Sequence, residues 1–462
     1  MHPFVILVIG MVVIMGAIIG LRLNAFLALI GAAMVVSFLA PGAQAIKISR
    51  VAEAFGRTAG SIGIVIALAA IIGTAMTESG AADRIVGGFL NVLGEQRDAV
   101  ALAATAFILS LPVFFDTVFF LLAPLARSMH GRTNRNYLKY LVAMSASGIA
   151  THTLVPPHPG PLAVADTLGI DLGVMILMGI VIAIPGAIVG YVFGAWIDRR
   201  MPIPMRLTPS VEAHAGDDLR VLGFVPALGF LPALWPVVLP VILISFGTMI
   251  DAMRVWAPGY ASTWAAMRPV TSVIGNANLA LLIAAVAAML LYHRQRRPTR
   301  EQMAKMVESS LMGAGVVILI VSAGGAFGAM LQAAQIGPAI QQLFTTRGEA
   351  PGVSVLLLAF AVTSVLKVAQ GSSTVAMITS AGMLAAMTKG MSLPFHSVYL
   401  GTAIAAGSLV GSWMNDAGFW VFSKIGGVTE VESLRSWTPM LAIVGCTSLA
   451  TTLLLATLMP LR

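Results

Sequence analysis

Apolar runs of about 17–25 residues recur along the chain from Phe4 almost to the C-terminus, each long enough to cross a hydrocarbon core of about 30 Å as a helix. Read between loop signals, they predict about ten transmembrane helices. The first half places them near 4–20, 24–40, 59–78, 137–165 and 171–197, and the second near 221–250, 271–292, 310–334, 395–424 and 437–459. Two further segments, 98–129 and 353–388, are interrupted by polar or helix-breaking residues. They predict re-entrant helical hairpins. Backbone of that kind survives at membrane depth only where protein or a water-filled cavity satisfies it.

Composition strengthens this picture. The chain is 58% hydrophobic and 10% charged, against about 45–50% and about 25% for soluble domains. The surplus apolar surface needs lipid as its solvent, and no separate soluble domain is visible. The formal charge of +8 could suggest nucleic acid, but no basic patch is interleaved with aromatics on a soluble fold. Basic residues instead gather in loops, as they do on the cytoplasmic side of a membrane. With the N-terminus outside, the inner loops hold Arg127, Arg132, Arg135 and Lys139, then Arg199, Arg200, Arg206 and Arg220, then Arg294, Arg296, Arg297, Arg300 and Lys305. The outer loops keep Lys47, Arg50, Arg254 and Arg268. The expectation is a bacterial inner-membrane protein with both termini periplasmic. The first run lacks a basic leader, so it reads as a retained span rather than a signal peptide. A single Cys446 excludes an internal disulfide and reads as packing.

The sequence also resembles itself. Asn24-Ala-Phe-Leu-Ala-Leu-Ile is similar to Asn276-Ala-Asn-Leu-Ala-Leu-Leu, and Glu53 to Ile85 lies without a gap on Glu308 to Ile340, setting Gly60 on Gly315 and Gly73 on Gly328. With two more residues inserted, Phe115-Asp116 falls on Ser372-Ser373 and Gly169 on Gly426. Five spans plus a hairpin make an odd number of crossings, so tandem repeats must face opposite ways. The expected fold is therefore an all-α polytopic membrane protein of two inverted repeats, 1–198 and 221–462, joined by a cytoplasmic linker at 199–220. Inverted repeats of secondary transporters place the site where broken helices meet near the bilayer midplane.

Four polar, helix-breaking stretches lie inside apolar sequence: Leu111 to Thr117, Thr151 to Pro161, Gln370 to Thr374 and Gly411 to Gly418. Helix N-termini freed by such breaks suit an anion, and the carbonyl ends suit a cation or a proton donor. Asp116 and Asp416 stand out, because a carboxylate in mid-membrane costs roughly 2.5–3.5 kcal/mol. Each is either a substrate or coupling-ion group or a cap on a broken helix. Asp166 reads as solvated near the outer mouth. His152 and His158 flank a double proline and could relay a proton, donate to a carboxylate or satisfy broken-helix carbonyls. Their spacing is not that of a metal site, and no Cys or Glu completes a set. Lys367 is a buried-looking cation, a partner for the substrate, for Asp416 or for neither. Gly324, Gly325 and Gly328 read as close helix packing. The candidate substrate-binding set is Asp116, Thr117, Thr153, His158, Gly160, Gln370, Gly371, Ser372, Ser373, Thr374, Asn415 and Asp416. Asp116, His158 and Asp416 are the candidates for proton coupling, with no metal and no cofactor.

Three stretches carry a resemblance. Val155-Pro-Pro-His-Pro-Gly-Pro, Val368-Ala-Gln-Gly-Ser-Ser-Thr-Val-Ala and Asn415-Asp-Ala-Gly-Phe-Trp resemble the hallmark segments of the gluconate permease (GntP) family, in the right order and within a match over the whole chain. The resemblance implies a proton-coupled symporter for sugar acids such as gluconate or related hydroxy acids. It also implies a dimer working by an elevator motion of the hairpin-bearing domain. Two positions depart from the family look: Asp116 stands where a glutamate is usual and Trp413 where a histidine is usual. Both are expected at the pocket. The rival readings are a sodium-coupled di- or tricarboxylate carrier and, remotely, an intramembrane hydrolase using His152, His158 and Asp116. The hydrolase lacks a Gly-x-Ser-x-Gly elbow and a His-Glu-x-x-His helix, and no ring of pore charges suggests a channel.

Overall fold

The computed structural model describes every residue except 1, 22, 82–83, 86, 89–96, 134, 207–228, 257–268, 272, 336–351, 390, 415 and 462. The expected linker at 199–220 and the start of the expected span at 221–250 fall largely outside these. All regular structure among the described residues is helical. The first half contains α1 (Pro3–Met15), α2 (Ala25–Leu39), α3 (Ser49–Ser79), α4 (Asp98–Leu109), α5 (Phe115–Thr133), α6 (Tyr137–Leu154), α7 (Pro159–Leu168) and α8 (Leu172–Arg200). The second contains α9 (Phe230–Trp256), α10 (Ala277–Arg296), α11 (Arg300–Ala333), α12 (Val353–Gln370), α13 (Ser373–Thr388), α14 (Ser397–Gly407), α15 (Ala417–Gly426) and α16 (Glu430–Leu458).

Among the described residues, five helices are long and apolar enough to cross a membrane unaided: α3 with the short turn before it, α8, α10, α11 and α16. Other expected spans are shorter apolar helices. The run 4–20 becomes α1 plus a π-helical turn at Gly16–Gly20. The runs 137–165 and 395–424 are each two helices with a break between them. The expected span 59–78 starts ten residues earlier, at Ser49, because polar Arg50, Glu53 and Arg57 continue the helix beyond its apolar stretch.

Local chemistry marks matching ends in the two halves. Asn24 and Asn276 cap α2 and α10, each side chain accepting from the backbone N–H two residues on and satisfying an otherwise orphaned donor. Asp171 and Thr429 cap α8 and α16, and both helices are 29 residues long. The short helices α7 and α15 are each ten residues long and end on left-handed glycines, Gly169 and Gly427. The sequence alignment set Gly169 on Gly426; the caps set it one residue later.

Packing follows the same correspondence. Contacts of α3 with α10 are matched by α11 with α2, α4 with α6 by α12 with α14, α6 with α8 by α14 with α16, and α7 with α13 by α15 with α5. Between them, α3 packs on α11 and α8 on α16. Gly328 of α11 meets Gly382 of α13 so closely that a Cβ on either would lie within 2.7 Å of the other's Cα. Small residues permit such backbone approach in membranes, as the glycine run predicted. Cys446, expected in packing, is exposed on α16.

Candidate substrate cavity

The hairpin α4–α5 turns at Ser110 to Phe114, and its second arm begins with Phe115, Asp116 and Thr117. The hairpin α12–α13 turns at Gly371, whose φ of 77° suits a residue without a Cβ. Ser372 then caps α13, its Oγ accepting from the Val375 N–H at 3.3 Å. The broken pair α6/α7 turns at Val155 to His158, and α14/α15 at Ser408 to Asp416.

These breaks wall a cavity of about 330 Å³, at the small end of the roughly 300–1,000 Å³ usual for ligand sites. Its polar lining is Asp116, His152, Thr153, Ser372, Ser373, Thr374 and Asp416, with the backbone of Gly371, Ala417 and Gly418. Phe115, Ile149, Trp437 and Leu441 form the apolar side. The N-terminal turns of α5, α13 and α15 all open on it, which favours negative charge inside. Two larger grooves, of about 1040 Å³ between α10 and α11 and about 510 Å³ between α4, α6 and α8, are mainly apolar. A further polar cavity of about 370 Å³, with Arg50, Glu53, Arg57 and Asp166 in its lining, lies between α3 and α11; the cavity at the breaks is the one that gathers Asp116, Asp416 and the Ser372 to Thr374 hydroxyls.

The two carboxylates have different surroundings. Asp416 caps α15, with Oδ1 accepting from the Gly418 N–H at 3.0 Å. Its Oδ2 accepts from the Lys367 ammonium at 2.7 Å and from the Ser412 hydroxyl. Lys367 is 0% exposed and donates also to the Gly371 carbonyl at 2.6 Å, and Trp437 Nε1 donates to Ser412 Oγ at 2.8 Å. Asp416 is thus the hub of an internal network. A pair this buried stabilises only because its charges are mutually satisfied. Asp116 has no hydrogen bond or ion pair among the described residues; its electrostatic neighbour is Asp416. It opens on the cavity.

Other candidates lie elsewhere. His158 is 3% exposed and is not in the cavity wall; its Nε2 bonds the Ser110 carbonyl at 2.6 Å. Position explains this, because the N-cap of α7 points at the open C-terminus of α4, whose carbonyl needs a donor. Thr117 lines a neighbouring polar cavity of about 270 Å³ with Thr74, Thr77 and Glu78. Gly160 packs against Met377, so it serves the α7–α13 contact. The Gln370 side chain and Asn415 lie outside the described residues. Trp413 does not reach the cavity: it is 45% exposed and donates to the Val368 carbonyl at 3.1 Å. Asp166 is exposed and accepts from Ser61 at 3.1 Å. The apolar wall went unread in the sequence, because Phe115, Ile149, Trp437 and Leu441 look like any other core residues.

A multi-pass helical protein whose interrupted helices enclose a polar cavity has the build of a membrane permease. The chain matches the model of the GntP family permeases over residues 2–459, and it belongs to that family. It is 32% identical to a gluconate permease of Pseudomonas aeruginosa over 98% of each chain. It is 31% identical to the inner membrane permease YgbN of Escherichia coli over 95% of each. Among solved structures it resembles the YdaH transporter of Alcanivorax borkumensis, with a TM-score of 0.60 at 14% identity, covering 95% of this chain and 98% of that one. That last likeness concerns the fold.

Proposed function

We propose that this permease is a secondary active transporter that carries a small organic anion, a sugar acid such as gluconate or a related hydroxy acid, together with a proton. The observation that carries this reading is the Asp116 carboxylate, without an ion pair or hydrogen bond among the described residues, in a cavity otherwise built for an anion. An anionic substrate beside ionised Asp116 is repelled, whereas protonated Asp116 becomes a hydrogen-bond donor to it. Proton and anion then favour each other's binding by the same factor, as linkage requires. Asp416 is instead engaged by Lys367 and Ser412. His152 and His158 are the other titratable groups packed around this corner.

In this reading the halves form two inverted repeats, supported by the matched caps and contact pairs. The hairpins and broken helices with α8 and α16 move as an elevator against a scaffold of α1–α3 and α9–α11, which also joins two copies as a dimer. Both termini face the periplasm, with the basic ends of α5, α8 and α10 in the cytoplasm. The gluconate permeases among its relatives supply the substrate class.

The test is uptake of labelled D-gluconate into proteoliposomes. A proton gradient is expected to drive accumulation without sodium. Accumulation driven by a sodium gradient alone would transfer the protein to the sodium-coupled reading. No uptake of any sugar or hydroxy acid under either gradient would remove the organic-anion reading.

A further inference from the structure

An organic anion needs a donor for its carboxylate, and the cationic side chain nearest the cavity is already committed. Lys367 is fully buried and spends its ammonium on Gly371 and Asp416. Among the described residues, the basic side chain that lines the cavity is His152, in the last turn of α6, beside Thr153 and in the same wall system as Asp116. Its Nδ1 is buried and has no hydrogen-bond partner among the described residues. A buried polar atom left that way is uncommon, because it loses its water without replacement.

The ring is also held in place. His158 lies against it with centroids 3.9 Å apart, and Phe114 touches both imidazoles at 5.8 and 5.7 Å. His158 is itself fixed by the Ser110 carbonyl. Held by these ring contacts at the cavity wall, the imidazole is a preorganised donor. The other half supplies a comparison. His152 is seven residues before the start of α7, and the residue seven before the start of α15 is Val410. The architecture does not demand an imidazole at that point.

We infer that His152 is a substrate-binding and specificity-determining residue, whose imidazole N–H donates to the carboxylate of the transported hydroxy acid, on the cavity wall shared with Asp116. This rests on the organic-anion reading above and assigns that site's carboxylate reader. The hydroxyls of Thr153, Ser372 and Thr374 then face the polyol end.

The experiment compares purified wild type, His152→Val and His152→Gln in uptake assays, with D-gluconate and its uncharged counterpart gluconamide as competitors. A hydrogen bond to a charged group accounts for roughly a tenfold change in affinity or more. His152→Val is expected to weaken gluconate by about that factor while leaving the melting temperature of the ligand-free protein close to wild type. The preference for gluconate over gluconamide should collapse in His152→Val and shrink in His152→Gln. A merely structural histidine would weaken both ligands alike. An unchanged preference in His152→Val overturns the inference, and if that variant does not fold, an unchanged preference in His152→Gln does so. Wild type that binds neither gluconate nor any related hydroxy acid defeats the functional reading itself. Wild type that binds gluconate while the variants behave identically defeats the role of His152 alone.

Discussion

In the first half of the molecule the residue just before the second broken helix is His158, and its ring reaches the carbonyl of Ser110 at the end of α4. In the second half that residue is Asp416, and it reaches Lys367 in the last turn of α12. Both are struts between a broken span and the first arm of the neighbouring hairpin. One is a single hydrogen bond to backbone, whereas the other is a buried ion pair with three further hydrogen bonds. The cavity-facing residues differ as well. The first half contributes Asp116 and His152, and the second contributes the neutral Ser372, Ser373 and Thr374 together with Asp416, whose carboxylate is paired with Lys367. In the first half, support and cavity lining fall on different residues, whereas in the second Asp416 serves both.

The comparison ranks substitutions by their cost in stability. Lys367→Met leaves Asp416 without its cation, and breaking one side of a buried pair costs about 3–5 kcal/mol. It is expected to give the largest drop in melting temperature in detergent. Adding Asp416→Asn should recover much of that loss, since the stranded charge is then gone. A double variant as unstable as the single one would show that the ion pair is not the strut.

His158→Leu comes next. It orphans the Ser110 carbonyl at a cost of about 1–3 kcal/mol, and His158→Gln should keep part of the bond. If His158→Leu melts as low as Lys367→Met, the contrast between the halves disappears.

Packing offers a third point. A Cβ on Gly328 would lie 2.6 Å from the Cα of Gly382, whereas one on the aligned Gly73 would lie 3.3 Å from the Pro112 carbonyl. Gly328→Ala should therefore cost about 1–3 kcal/mol, as overpacking does, and Gly73→Ala less. Thermal melts of the two variants side by side decide this, and equal losses would remove the distinction.

The smallest effect on stability falls on the residue with the largest expected effect on transport. Asp116 makes no hydrogen bond among the described residues, so Asp116→Asn should melt within about 0.5 kcal/mol of wild type while losing proton-driven uptake and its pH dependence. An unchanged pH dependence would take Asp116 out of the coupling step.

Much of the fold is legible in the amino-acid sequence. Runs of apolar residues locate helices because a lipid solvent leaves few alternatives, and the helix breakers at Pro112, Pro156, Pro157 and Gly371 mark where those helices must stop. Asn24 and Asn276 announce equivalent helix starts through the same capping chemistry. The chemistry of individual positions is less legible. Asp116 and Asp416 look alike in sequence, since each is a carboxylate in an apolar stretch, and only Lys367 and Ser412 tell them apart. Trp413 sits in a hallmark stretch yet turns to the Val368 carbonyl, because the orientation of a loop side chain depends on the carbonyl it finds.

By itself the sequence determined that this chain lives in a membrane, where its helices break, and that polar groups gather at those breaks; all three follow from local chemistry within a few residues. Which polar groups share a cavity, and which are consumed in holding it together, was decided by tertiary structure. The pairs that settle it, His158 with Ser110 and Asp416 with Lys367, are 48 and 49 residues apart. A carboxylate's role is set by whether another part of the chain brings it a partner.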